Sequence, residues 1–79
     1  MIDKAYLKYQ MEIHGISRED LIKAEGWSHT TYYRKVTTGE AKWFSNEIKI
    51  LEQIGIPWEA LEEIFFSEMT HKNDNTSEV

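Results

Sequence analysis

Glycines at positions 15, 26, 39 and 55 punctuate a chain of 79 residues and leave only short segments between them. Within those segments apolar residues recur three and four apart and do not alternate, so the segments read as helices and none as a strand. Over residues 3–14, Leu7 and Met11 fall on one side while Tyr6, Tyr9 and Ile13 fall on another, which gives the first helix two apolar faces. Gly15 stops it. Ser17 then opens a second helix over about 18–24, with Asp20 three residues on, the spacing at which two side chains satisfy the unpaired N–H groups of a helix start.

Gly26 stands where a tight turn needs a residue without a Cβ, and Ser28 follows as the N-cap of a third helix over about 29–36. Residues 37–44 read as a loop around Gly39. Ser45 is the expected cap of a fourth helix, which carries Ile48, Leu51 and Ile54 and ends at Gly55. Pro57 begins a fifth helix that runs to Phe66 or Met69. After Thr70 the tail has no apolar residue until the last, so the expected organisation is one domain over 1–69 and a disordered tail over 70–79. The fold class is therefore all-α, a compact bundle of four to five short helices. A short helix, a glycine turn and a second short helix inside such a bundle make a helix-turn-helix.

The residues that carry this pattern, "HGISREDLIKAEGWSHTTYYRKV" followed by "EIKILEQIGIPWEALEEIFF", resemble the phage repressor and Cro-like (XRE-type) helix-turn-helix family. The likeness covers about residues 5–66. Its matching positions are Gly15, Ile16 and Ser17 before the second helix, Leu21 within it, Gly26 at the turn, Ser28 at the cap, and Tyr32 and Val36 facing inward from the third. Glu25 and Trp27 depart from it, the first standing where an apolar residue is usual and the second large for its slot. The resemblance implies a lambda repressor-like fold and a bacterial or phage-encoded cytoplasmic DNA-binding regulator.

A helical wheel gives the same orientation independently. Tyr32 and Val36 fall within about 40° of each other and face the core, which sends Thr30 and Arg34 outward with Thr31, Tyr33 and Lys35 on the flanks. Arg pairs bidentately with guanine in the major groove, and Thr bonds a base edge or touches the thymine methyl. His29, Thr30, Thr31, Tyr33 and Arg34 are thus the candidate base contacts. Arg18, Ser28, Lys35, Thr37, Lys42 and Ser45 are the candidates for the DNA backbone, where cations and helix N-termini meet phosphates. Tyr33 or Trp43 is also able to pack on a sugar edge, although one or both of Trp43 and Phe44 are better placed as core plugs under the loop.

Charge supports this face. Residues 1–25 hold four Lys/Arg against five Asp/Glu, residues 26–44 three against one, and residues 45–79 two against eight, within a net charge of -5. The positive segment is the one with the reading helix. The acidic remainder argues against indiscriminate nucleic-acid binding, which depends on cation–phosphate contacts.

Other functions fit poorly. There is no cysteine, hence no disulfide or thiolate metal site, and His14, His29 and His71 lack metal-ligand spacing. No glycine-rich phosphate loop is present, and Glu59, Glu62 and Glu63 form the wet side of a helix opposite Leu61, Ile64 and Phe65. No enzyme, metal or cofactor is expected. No apolar run is long enough for a membrane span, and the N-terminal stretch lacks the apolar core of a signal peptide.

Trp58, Leu61, Ile64, Phe65 and Met69 share one arc of the fifth helix, with Phe66 about 60° outside it. Phe66 then has no core role, and with Trp58 and Phe65, and the second apolar face of helix one, it is the candidate interface of a homodimer; the other arrangement is that helices one and five simply cover each other. Double-stranded DNA is the expected partner. The alternative is a modulator or antirepressor that keeps the helix-turn-helix and grips another regulator protein.

Overall fold

A computed structural model describes residues 2–66, and within them the chain is an all-α bundle of five helices. Helix α1 spans Lys4–Ile13, α2 Arg18–Glu25 and α4 Ser45–Gln53. Helix α3 begins as α-helix at His29–Tyr32 and widens to a π-helical turn at Tyr33–Thr37, and α5 does the same through Trp58–Leu61 and Glu62–Phe66. No strand occurs among the described residues. The expected tail over 70–79 and Met69 lie outside them.

The same local device ends three of the helices. Ile16 N–H donates to the Met11 carbonyl at 2.8 Å, Trp27 to Ile22 at 3.1 Å and Ile56 to Leu51 at 3.1 Å. Each bond crosses a glycine with positive φ, and so satisfies a carbonyl that the helix leaves unpaired. Ile16 and Ile56 also bury their side chains, so the residue that closes the helix chemically also ties it to the core.

Helix starts are as specific. Asp3 caps α1 by accepting from Tyr6 N–H at 3.0 Å. Ser17 and Asp20 cap α2 reciprocally, each backbone N–H donating to the other's side chain at 3.0 Å. The hydrogen bonds from the Ser17 N–H and hydroxyl hold the Asp20 carboxyl below its ordinary range. Ser28 Oγ accepts from Thr31 N–H at 3.1 Å. At α4 the expected cap is displaced by one residue. Ser45 is already helical, and the Phe44 N–H donates instead to Glu47 Oε1 at 2.9 Å, a carboxylate reaching back from the first turn. Pro57 likewise stands just before α5 and accepts from Ala60 and Leu61 through its carbonyl.

Leu7, Leu21, Val36, Leu51 and Leu61, one from each helix, are completely buried together with Ile56 from the turn before α5, so the bundle has one core. Full burial of one such side chain stabilises by roughly 1.5–3 kcal/mol. An Asp3 N–H to Ile64 carbonyl bond of 2.9 Å closes the N-terminus onto α5. Tyr9 and Ile13 remain exposed, in keeping with a second apolar face on α1.

An aromatic column runs from the α2–α3 turn to α5. Trp27 meets Trp43 at 5.1 Å between centroids, Trp43 meets Phe65 at 4.9 Å, Phe65 meets Phe66 at 6.3 Å, and Phe66 meets Trp58 at 6.0 Å. Two expectations for α5 are corrected by it. Phe66 is half-buried against the core and has a packing role. Trp58, placed by its wheel position on the core arc, is 45% exposed and donates its indole N–H to Glu62 at 3.1 Å. It lies at the first turn, where a wheel does not register how far the neighbouring helix extends. Phe65 packs on Trp43, and Phe65 and Phe66 are both half-buried, so of the expected interface residues Trp58 is the exposed one.

Candidate nucleic-acid interface

Only the three residues Gly26, Trp27 and Ser28 link α2 to α3. Gly26 adopts φ 75°, ψ 28°, a left-handed conformation that disfavours a side chain, and this single residue sets the angle at which α3 leaves. Tyr32 and Val36 face the core at 8% and 0% exposure. Burial pushes the Tyr32 hydroxyl pKa up, with Arg18 acting in the opposite sense.

The outward side holds His29, Thr30, Tyr33, Arg34 and Thr37, all exposed, with Thr31 half-buried beside them. Thr31 shares a 3.1 Å hydroxyl hydrogen bond with Ser28 Oγ, so both groups are engaged in the cap. Glu19 lies 3.6 Å from Arg18 Nε and 3.9 Å from His29 Nε2, placing a carboxylate beside two of the candidate contacts. These are exposed groups, and the pairing is weak in water.

Arg34 and Lys42 line one groove although seven residues of chain lie between them. The Ala41 N–H donates to the Arg34 carbonyl at 3.1 Å, folding the loop back along α3. A shallow groove of about 280 Å³ results, lined by Thr31, Arg34, Lys35, Ala41, Lys42 and Phe44. Lys42 and Ser45 are exposed near it.

Lys35 is not a surface cation, which corrects the expectation of a phosphate contact. It is 7% exposed, and its ammonium donates to the Lys42 carbonyl at 2.6 Å and to Glu47 Oε1 at 2.9 Å. The Phe44 ring lies 4.8 Å from Nζ, a cation–π distance. The wheel put Lys35 on a flank, and its four-carbon stem reaches inward to a carboxylate on another helix. Trp43, considered for a sugar edge, is also interior, with its indole N–H donating to the Lys35 carbonyl at 3.0 Å. Phe44, by contrast, is 57% exposed.

Glu47 organises this underside. It accepts from Lys35, from the Phe44 N–H and from the Trp27 indole at 3.0 Å. Burial alone would raise its pKa, but these hydrogen bonds and the Lys35 charge prevail and lower it. Glu25 lies in the same region without such help. Neither of its buried carboxyl oxygens has a hydrogen-bond partner. Burial, then the Glu47 charge, push its pKa up to about 8 against the pull of Lys35. Sequence reasoning noted Glu25 and Trp27 only as departures from a pattern and did not single out Glu47.

Among the described residues no group of His, Cys, Asp and Glu is placed to hold a metal ion, and no helix is long and apolar enough to cross a membrane. No family model matches the chain, and no curated protein or solved structure is significantly similar to it.

Proposed function

We propose that the chain is a sequence-specific DNA-binding regulator in which α2 and α3 act as a helix-turn-helix and α3 enters the major groove. The observation that carries this reading is the division of α3 into two sides. Tyr32 and Val36 are buried, while Thr30, Tyr33 and Arg34 are exposed together beside the Lys42 loop. A guanidinium on a helix held by its opposite face suits bidentate pairing with guanine O6 and N7. Lys42 and Arg18 supply phosphate contacts, and Thr37 and Ser45 lie exposed where hydroxyls can reach the backbone. With Lys35 withdrawn, the face carries less positive charge than its composition suggests, so base reading has to supply more of the affinity.

The regulator acts as a homodimer on a two-fold site, joined through the surface around Trp58. A groove of about 190 Å³ there is lined by Ile48, Lys49, Glu52, Trp58 and Phe66, with Ser45 at its edge. The decisive experiment is selection of bound duplexes from a random pool, followed by a gel shift at physiological salt. Enrichment of a two-fold motif supports the proposal. Absence of any preference, together with tight binding to a companion regulator, replaces it with the modulator reading.

A further inference from the structure

Beneath the proposed reading face, Glu25 is a carboxyl group whose two oxygens have neither solvent contact nor a hydrogen-bond donor. A buried carboxylate without a donor is strongly disfavoured, so the group holds its proton where an exposed one would not. It ends α2, directly before the Gly26 turn. The charged groups that act on it are Glu47 from α4 and Lys35 from α3, the two helices packed against α2. While Glu25 is neutral, Lys35 and Glu47 form a balanced pair. Losing the Glu25 proton to solvent puts a second negative charge beside one ammonium.

That ammonium also holds the loop, through its 2.6 Å bond to the Lys42 carbonyl. Both Lys35 bonds are charge-assisted by the ammonium, but the carbonyl is the acceptor without a full charge, so a second carboxylate competes with it before it competes with Glu47. We infer that Glu25 is a proton-operated latch: neutral, it leaves Lys35 to hold the Lys42 loop against α3; ionised, it draws Lys35 away from the Lys42 carbonyl and loosens that loop. The latch needs only the fold. Its consequence for binding rests on the DNA reading above, because the loosened loop carries Lys42 and lines the groove beside Arg34.

The test is an NMR titration of the intact chain from about pH 5 to 10, following the Trp27 indole N–H and the backbone amides of Lys42 and Trp43. In the parent these resonances move together with a midpoint near that of Glu25, about 8. In Glu25→Gln, which mimics the neutral acid, the step disappears, and Glu25→Met gives a second apolar-tolerant control. Duplex binding is measured alongside at about pH 7 and about pH 9. If only the latched form binds, parent affinity falls about tenfold over that interval while Glu25→Gln stays level, since apparent affinity scales with the competent fraction. No step in the parent, or the same step in Glu25→Gln, overturns the latch whatever the DNA result. A Glu25-dependent step without duplex binding at either pH supports the latch and removes the DNA reading. A step with pH-independent binding overturns the regulatory consequence.

Discussion

The Lys35 ammonium lies 2.9 Å from Glu47 Oε1, with the two side chains only 9% and 12% exposed, and this pair fastens the third helix to the fourth. Its worth depends on completeness. Three donors converge on Glu47, and Lys35 in turn holds the loop carbonyl of Lys42. Removing one member of a buried pair leaves the other charge uncompensated, at a cost of about 3–5 kcal/mol. Lys35→Met, which keeps the apolar stem, is therefore expected to lower unfolding free energy in urea by that order. A change under about 0.5 kcal/mol, the range of ordinary surface substitutions, would show that the ammonium is dispensable.

Arg34 is exposed and makes no side-chain contribution to the core, so Arg34→Ala should leave the melting temperature nearly unchanged. On the preferred duplex it should cost about 1–3 kcal/mol and relax the requirement at one base pair per half-site. Arg34→Lys should restore attraction without discrimination, because one ammonium cannot make the planar two-bond contact. Competition gel shifts with single-base variants measure both.

Lys42→Ala is expected to weaken specific and random duplexes alike and to reduce the salt slope of binding by about one. Titrations at several salt concentrations decide this, and equal slopes for variant and parent would take Lys42 out of the interface.

The dimer is tested through Trp58, which is 45% exposed and whose loss disturbs the aromatic column only at its end. Trp58→Ser should weaken self-association in sedimentation equilibrium with little loss of melting temperature. Phe66→Glu should weaken self-association and also lower the melting temperature, since Phe66 packs on the core. A parent protein that is monomeric up to millimolar concentration ends the dimer proposal.

Glu25 gives stability a pH dependence of definite sign. Its pKa is about 8 folded, against an ordinary 4.5. Below the lower value both states are protonated and the contribution is fully present. Between the two values the unfolded chain has lost the proton and the folded one keeps it, so stability falls as pH rises, and levels off above the folded value. Melting temperature should decline from about pH 5 to 8 in the parent and decline less in Glu25→Gln. Equal slopes would show that Glu25 is not the group responsible.

Much of the fold was legible in the chain because it depends on near neighbours. Ser17 with Asp20, Ser28 before Thr31, and Gly26 after α2 act over two to four residues, and the inward sides of α1 and α3 follow from helical periodicity alone. Sequence by itself therefore determined where α1, α2 and α3 start, and that Tyr32 and Val36 turn in while Thr30 and Arg34 turn out, whereas the start of α4 moved by one residue because Glu47 caps it from inside. Tertiary structure alone decided the fate of groups whose partners are distant. Lys35 meets Glu47 across 12 residues and Trp27 meets Glu47 across 20. Those contacts turned an apparent phosphate ligand into an interior cation, gave the oversized Trp27 a place at the head of the aromatic column, and left Glu25 buried without a donor. The physical reason is common to all three. A wheel fixes the direction of a side chain, but burial and charge pairing are settled by whichever element packs opposite, and periodicity carries no record of that.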